Sequence, residues 1–475
     1  MKLGLKEKVS FGLGAVGKDL VYMLSASYVL YYFQDVLGVS AIAMGVILLA
    51  ARVFDAFNDP IMGIIVAKTK TRWGKFRPWL MIGTVTNAVI LFLMFAAPPS
   101  LDGSGLVAYA ACTYILWGVT YTMMDIPYWS MIPAFTESGK ERENLSTLGR
   151  SCAGVGGALI TIFTVMIVSA IGKAIAGADA TAKEIEIAGF KWFALIIAVI
   201  FIVFITICCV NIKEKATVDM ESPSIGQMFK ALFSNDQAMT IVITIVIINM
   251  SIYITSNLLI YFFKYDFGGE GWKGSYTLFN TFGGAIQILS MMVLYPLLRK
   301  FVSNVKVFYI CVASAVIGYV LLFVIAFFNL MNIFVLFVPG FFIFAANGVL
   351  NVLTTVFLAN TVDYGDLKNG RRDESVIFSM QTFVVKLGSG ISALVASICL
   401  QLNNLKSDSE DAKEAYDFAK DVALSSKMGL RMTMTIVPII GFIIAIICFK
   451  KKFILTDEKM EEITSELKSR VDEAE

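Results

Sequence analysis

The hydrophobic and polar positions of this chain fall into long apolar stretches separated by short polar segments. A helix that crosses the hydrocarbon core of a membrane needs about 20 mostly apolar residues. Twelve stretches meet this criterion, near residues 11–33, 40–66, 78–98, 106–133, 150–172, 190–212, 237–263, 274–298, 307–328, 332–359, 376–402 and 428–449. The pattern therefore predicts an all-α membrane protein with twelve transmembrane helices.

The longest polar segment in the middle of the chain, residues 213–237, leaves six predicted helices on each side. We expect an N-terminal six-helix half at 1–212, a cytoplasmic central loop at 213–237, a C-terminal six-helix half at 238–449 and a cytoplasmic tail at 450–475. Two six-helix halves are typical of one large class of membrane transporters. The alternative is a polar linker without special meaning.

Lysine and arginine are distributed unevenly among the predicted loops. Loop 68–77 holds five of them, and the N-terminus, loops 299–306 and 368–372 and the start of the tail are also basic. Loops 34–39, 99–105 and 329–331 hold none. Because cytoplasmic loops are enriched in Lys and Arg, we expect a protein of the cell membrane with both termini in the cytoplasm. The tail, 456–475, has the pattern of a charged amphipathic helix, which leaves open both contact with a cytoplasmic regulatory protein and simple solvation.

Composition supports a membrane protein and narrows the function. Hydrophobic residues make up 57% of the chain and charged residues 16%, with a mean hydropathy of +0.75, whereas about a quarter of the residues of soluble domains are charged. The net charge of only +2 excludes a nucleic-acid binder. Histidine, the commonest general base and metal ligand, is absent, and none of the seven cysteines has CxxC spacing. We therefore expect no enzyme and no cofactor, with an intramembrane enzyme or sensor as the least favoured alternative.

Charged residues within the predicted helices point to a functional site. An ionised group at mid-membrane costs about 2.5–3.5 kcal/mol or more, so each one needs a reason. Three bases and four acids occupy such positions: Lys18, Arg52, Lys386, Asp19, Asp55, Asp59 and Asp125. A bound Na⁺ or H⁺ would balance the one unmatched negative charge, as would Arg150 or water in a channel.

The second predicted helix carries two of these carboxylates four residues apart. Asp55 and Asp59 share one helix face, with Asn58 beside them and Arg52 one turn earlier. Two carboxylates on one face repel each other unless a cation lies between them, and hard monovalent cations prefer oxygen ligands. The spacing favours a cation site. The alternative is a set of structural ion pairs in which Arg52 and a lysine neutralise both acids.

The fourth predicted helix carries an aromatic and acidic stripe formed by Tyr121, Asp125, Tyr128 and Trp129. A carboxylate accepts charge-assisted hydrogen bonds from sugar hydroxyls, and a flat ring packs on the C–H face of a sugar. The stripe therefore favours a sugar site. Helix packing or anchoring at the membrane interface is the alternative.

Six long motifs resemble the glycoside-pentoside-hexuronide:cation symporter family of the major facilitator superfamily. They are GLGAVGKD (12–19), ARVFDAFNDPIMG (51–63), RWGKFRPW (72–79), TYILWGVTYTMMDIPYWS (113–130), TVDYGDLK (361–368) and QTFVVKLGS (381–389). The resemblance implies import, by alternating access, of a glycoside such as melibiose or a related galactoside, pentoside or glucuronide. The coupling ion would be Na⁺, with H⁺ and Li⁺ as alternatives.

The resemblance also implies roles for individual residues. The cation site would consist of Asp55, Asn58, Asp59 and Thr122, and the sugar site would centre on Asp19 and Asp125. Lys18, Tyr121, Trp129 and Arg150 would surround the sugar, and Lys386, Gln381 and Thr382 would approach from the C-terminal half.

The sequence departs from the family pattern in two places. Residues 144–156 resemble it least, and Asn351 stands in the tenth helix where the resemblance implies a tryptophan. We include Asn351 among the expected sugar-binding residues, and its small side chain leaves the identity of the sugar open. A cation-coupled carrier of a lipid or a sulfonated compound is the main alternative, which retention of both Asp19 and Asp125 disfavours.

Overall fold

The computed structural model describes residues 4–132, 139–177, 179–212, 225–330, 332–370, 374–405 and 417–472, and these residues are almost entirely helical. The helices, in chain order, are α1 (Leu5–Leu30), α2 (Ala41–Lys68), α3 (Arg77–Met94), α4 (Gly103–Ser130), α5 (Gly139–Ala176), α6 (Ala182–Asn211), α7 (Ile225–Ser234), α8 (Asp236–Phe262), α9 (Trp272–Leu289), α10 (Tyr295–Arg299), α11 (Asn304–Phe327), α12 (Ile333–Asn369), α13 (Glu374–Leu402), α14 (Leu424–Lys452) and α15 (Asp457–Asp472).

Eleven helices of the described chain are long and apolar enough to cross a membrane. The twelfth long helix is α1, which has 26 residues and carries Lys18 and Asp19 in its middle. These two charges lower the mean hydropathy of α1, so it is not among the eleven helices that are selected by length and hydropathy. The predicted all-α fold with twelve long helices is confirmed.

The chain forms two compact units. Unit one comprises residues 1–222, 269–277 and 406–421, and unit two comprises residues 223–268, 278–405 and 422–475. Within unit one, α1 packs against α5 and α6, and α4 packs against α2 and α3. Within unit two, α8 packs against α13 and α14, and α11 packs against α12. The core of unit two is built from apolar side chains of these helices.

The approach of α5 to α1 is close because of a glycine. A Cβ atom at Gly156 would lie 2.5 Å from the carbonyl oxygen of Val16, so a larger residue would force the helices apart. This contact lies two residues before Lys18 and fixes the middle of α1 against α5.

Two helices extend well beyond the spans predicted from hydropathy. The fifth span was expected at 150–172, but α5 runs from Gly139 to Ala176, and the tenth was expected at 332–359, but α12 runs from Ile333 to Asn369. Hydropathy detects only the part of a helix that crosses the apolar layer, whereas backbone hydrogen bonding continues into polar sequence. Within the segment predicted as a loop, α7 forms a separate helix of ten residues, which is too short to cross a membrane.

The tail forms helix α15, which is part of unit two. Arg299 Nη1 lies 2.8 Å from Asp457 Oδ2, and the side chain of Ile463 is buried. The tail therefore has the predicted helical form and one face that is shielded from solvent.

Candidate functional site

The buried amino group of Lys18 lies between two carboxylates in the centre of unit one. Its Nζ atom is 3.1 Å from Asp19 Oδ2 and 2.9 Å from Asp125 Oδ1, and it donates a hydrogen bond of 3.2 Å to the Tyr121 hydroxyl. The side chain of Lys18 is 6% exposed, whereas those of Asp19 and Asp125 are 20% and 27% exposed. One buried lysine thus holds two carboxylates that keep part of their surface open.

An aromatic ring borders this cluster. Lys18 Nζ lies 5.1 Å from the centroid of the Trp129 ring, and Arg150 Cζ lies 5.2 Å from the same centroid. Both distances are within the range of cation–π attraction. Lys18, Asp19, Tyr121, Asp125, Trp129 and Arg150 are therefore brought together, as the sequence predicts. The group combines hydrogen-bond acceptors with a flat apolar face.

Tyr128, also predicted to contact the sugar, faces elsewhere. Its side chain is fully buried, its hydroxyl donates a hydrogen bond to the Phe11 carbonyl oxygen, and its ring stacks on the Phe11 ring with centroids 4.7 Å apart. In this conformation Tyr128 has no exposed surface to offer a ligand. Its contacts join α4 to α1.

A second charged cluster lies where α2 meets α4. Arg52 Nη1 is 3.4 Å from Asp55 Oδ2, and both side chains are buried. A Cβ atom at Gly118 would lie 2.6 Å from Asp55 Oδ1, so the glycine makes room for the carboxylate at the helix contact. The absence of a side chain at Gly118 therefore allows Asp55 to approach the backbone of α4.

One turn further along both helices, Thr122 Oγ1 donates a hydrogen bond of 3.0 Å to Asp59 Oδ1. The Nδ2 atom of Asn58 is buried and has no hydrogen-bond acceptor among the described residues. Asp55 and Asp59 therefore both face α4, and their predicted grouping with Asn58 and Thr122 as a cation site stays a prediction. Two carboxylates, an amide and a hydroxyl form a set of oxygen donors that suits a hard monovalent cation.

The described residues contain no group of three or more His, Cys, Asp or Glu side chains that could hold a metal ion. This result does not test the predicted set at α2 and α4, which contains only two such acids.

The rings of Tyr22, Trp117 and Tyr121 lie between the two clusters, and of these only Tyr121 is among the predicted site residues. The Tyr22 ring centroid lies 5.9 Å from Arg52 Cζ and 5.4 Å from the Tyr121 ring centroid. The Trp117 ring stacks on Tyr121, with centroids 5.2 Å apart. The spacing of Tyr114, Trp117 and Tyr121 by three and four residues on α4 is a signal from which this stack could have been predicted.

The remaining predicted sugar-binding residues lie in unit two. Asn351 is an exposed residue of α12, and its Nδ2 atom is 3.5 Å from Asn347 Oδ1. Lys386, Gln381 and Thr382 lie on α13, with Gln381 and Lys386 half-buried. Their predicted role in sugar binding stays a prediction.

Comparison with known proteins identifies the relatives of this chain. A family model described as MFS/sugar transport protein matches residues 10–451. The chain is 27% identical to the lactose permease of Lactobacillus helveticus over 483 aligned positions, which cover 98% of this chain and 72% of that protein. It is 25% identical to the inner membrane symporter YicJ of Escherichia coli (strain K12), with 98% and 95% of the two chains covered.

The fold also matches solved transporter structures. A bacterial homolog of the human lysosomal transporter Spinster superimposes with a TM-score of 0.65, covering 94% of this chain and 95% of that one. Because the sequence identity is 10%, this match concerns the fold alone.

Proposed function

Because the chain belongs to the MFS/sugar transport protein family, a family of transporters and not of enzymes, we propose that it is a cation-coupled symporter that carries a glycoside. The observation that carries the proposal is the pair of part-exposed carboxylates, Asp19 and Asp125, held by the buried Lys18. Transport would follow alternating access about a central binding site.

Asp19 and Asp125 would bind sugar hydroxyls by accepting hydrogen bonds. Charged acceptors form stronger hydrogen bonds than neutral ones, and Lys18 orients both carboxylates. The Trp129 ring would pack on the C–H face of the sugar ring. Arg150, Tyr121, Asn351, Gln381, Thr382 and Lys386 are the further proposed contacts, and Tyr128 would act by positioning α4.

Asp55, Asn58, Asp59 and Thr122 would bind the coupling cation. We propose Na⁺ because all four side chains offer oxygen ligands, with Li⁺ and H⁺ as alternatives. Thr122 and Asp125 lie three residues apart on α4, so a cation that orders this stretch of helix would also order one sugar-binding carboxylate. This proximity gives a physical route by which the cation raises sugar affinity.

Import would be driven by the ion gradient and by the membrane potential. Each positive charge moving inward gains about 2.3 kcal/mol per 100 mV. The distribution of Lys and Arg in the loops supports a cell-membrane protein with both termini in the cytoplasm.

Glycosides are the proposed substrate class, in keeping with the similarity to a lactose permease. Asn351 is small where the family resemblance implies a tryptophan, so we propose that the preference is not confined to melibiose and extends to other galactosides, pentosides or glucuronides. Lys18, Arg150 and Lys386 are the proposed partners of the carboxylate of a glucuronide. The presence of both Asp19 and Asp125, which suit hydroxyl groups, disfavours a lipid or a sulfonated compound.

Sugar accumulation in proteoliposomes tests this function. Competition among unlabelled sugars first selects the labelled substrate, and an imposed inward Na⁺ gradient should then drive its accumulation by the wild type. Asp59→Asn should abolish gradient-driven accumulation but retain sugar exchange, because the variant loses a proposed cation ligand and keeps Lys18, Asp19 and Asp125.

Asp102→Asn is the matched control, since Asp102 is an exposed carboxylate just before α4 in the same unit. It should accumulate sugar as the wild type does. Accumulation by Asp59→Asn at the wild-type level would contradict the cation site, and no uptake of any sugar by the wild type would contradict the substrate class.

A further inference from the structure

A buried group of polar side chains lies at one end of unit one, away from the proposed binding site. Tyr31 follows the last residue of α1, Glu186 lies near the start of α6 and Lys273 lies in the first turn of α9. The Tyr31 hydroxyl is 3.1 and 3.0 Å from the two carboxylate oxygens of Glu186, and Lys273 Nζ is 3.3 Å from Glu186 Oε1. The side chains of Glu186 and Lys273 are only 8% and 14% exposed.

A second contact lies one helical turn deeper. The hydroxyls of Tyr28 and Tyr276 are 3.5 Å apart, and both side chains are buried. Tyr28 precedes Tyr31 by three residues, and Tyr276 follows Lys273 by three residues. The end of α1 and the beginning of α9 therefore meet in two successive layers.

This end of α1 is distant from the sugar cluster. Tyr31 follows Lys18 by 13 residues, which corresponds to roughly 20 Å along a helix that rises about 1.5 Å per residue. The group of Tyr31, Glu186 and Lys273 thus lies at the end of α1, whereas Lys18 lies in its middle.

Helix α9 is divided between the two compact units. Its residues up to 277 belong to unit one, and its residues from 278 belong to unit two. If the first turns of α9 move together with the rest of the helix, away from α1 and α6, the contacts of Tyr31, Glu186 and Lys273 must break. Alternating access moves one half of a transporter against the other, and α9 has residues in both units.

We propose that Glu186, Lys273 and Tyr31 form a latch that closes this end of the transporter during one part of its cycle. An ion pair suits a reversible closure, because the attraction between buried charges is offset by the desolvation that burial costs. When the latch opens, water can solvate both charges. The proposal depends on the transporter family alone and on neither the sugar nor the coupling ion.

The accessibility of position 28, in the Tyr28–Tyr276 contact, reports whether the latch is closed. Tyr28→Cys places a thiol one turn below the ion pair and removes the Tyr28 contact equally in every variant that carries it. A membrane-impermeant maleimide is applied without sugar to vesicles of both orientations, and labelling of the protein without the reporter gives the background from its seven native cysteines. Glu186→Gln should raise the labelling rate of the reporter at least about fivefold from one side of the membrane, because the amide cannot form the ion pair.

Glu184→Gln is the matched control on the same helix. Glu184 is exposed and accepts a 2.9 Å hydrogen bond from the backbone N–H of Thr181, a contact that glutamine can keep. This variant should leave the labelling rate unchanged.

Lys273→Gln breaks the same ion pair from the other side and should also raise labelling. It serves as the second variant if Glu186→Gln is recovered only in unfolded form, as judged by thermal denaturation. The latch would be overturned if Glu186→Gln and Lys273→Gln, both folded, were labelled at the same rate as the protein that carries Tyr28→Cys alone. An equal rise in Glu184→Gln would overturn it as well, because the effect would then not belong to the ion pair.

Discussion

Two buried groups of charges, one in each unit, show opposite ways of placing ions inside a membrane protein. In unit two, Arg431 donates hydrogen bonds of 2.7 and 2.6 Å to the two carboxylate oxygens of Asp266. It also donates to Asn329 Oδ1 and to the Ala326 carbonyl oxygen. The side chains of Arg431 and Asp266 are 2% and 0% exposed.

In unit one, by contrast, a single buried lysine contacts two carboxylates. Lys18 is nearly as buried as Arg431, but Asp19 and Asp125 are 20% and 27% exposed. The arginine pair matches one charge with one charge and encloses both. The lysine cluster leaves carboxylate surface available to a ligand. The ratio of charges and their exposure, rather than burial alone, distinguish the enclosed ion pair from the proposed binding site.

Loss of charge at the enclosed pair should have the largest effect on folding. Asp266→Asn leaves the Arg431 guanidinium buried without its counter-charge, and removing one partner of a buried pair costs about 3–5 kcal/mol. We expect a strongly lowered thermal unfolding temperature, measured on purified protein in detergent.

Asp236→Asn is the control in the same unit, because Asp236 pairs with Lys368 at the surface, with side chains 54% and 46% exposed. Exposed pairs contribute about 0–1 kcal/mol, so its unfolding temperature should stay close to that of the wild type. Equal unfolding temperatures for Asp266→Asn and the wild type would show that the enclosed pair is not structural.

Loss of charge in the open cluster should instead affect binding. Asp125→Asn keeps the shape of the side chain and leaves Lys18 paired with Asp19, so the protein should stay folded. Hydrogen bonds to charged groups contribute about 1.5–3 kcal/mol, and we expect sugar affinity, measured by calorimetry, to fall at least about tenfold while Na⁺ binding is largely retained. Unchanged sugar affinity in this variant would remove Asp125 from the site.

Much of the fold could be predicted from the sequence because each spanning helix carries its own apolar signal. The central charges Lys18, Asp19 and Asp125 were also visible, since an ionised residue stands out against an apolar background. Spacing within one helix placed Asp55 and Asp59 on a common face, and the structure brings that face to α4 as expected.

Contacts between distant residues could not be predicted in the same way. Glu186 and Lys273 lie 87 positions apart and Asp266 and Arg431 lie 165 positions apart, and all four stand near helix ends, where charges are common. Each base matches one acid, so these pairs do not alter the excess of one negative charge counted from the sequence.

Tyr128 shows what helical spacing alone cannot predict. Positions 121, 125, 128 and 129 occupy neighbouring directions on α4, and helical spacing alone does not decide which of them faces a ligand and which faces another helix. Tyr128 contacts Phe11 of α1, so its side chain packs between α4 and α1.

Sugar affinity of the purified wild-type protein, measured by calorimetry with and without Na⁺, tests the central proposal most directly. Because Thr122 and Asp125 share one stretch of α4, we expect Na⁺ to raise the sugar affinity at least about fivefold over choline at equal ionic strength, a coupling typical of linked sites. The sugar should raise the affinity for Na⁺ by the same factor. Equal sugar affinity in sodium, lithium and choline buffers, at every pH tested, would contradict a cation-coupled sugar symporter.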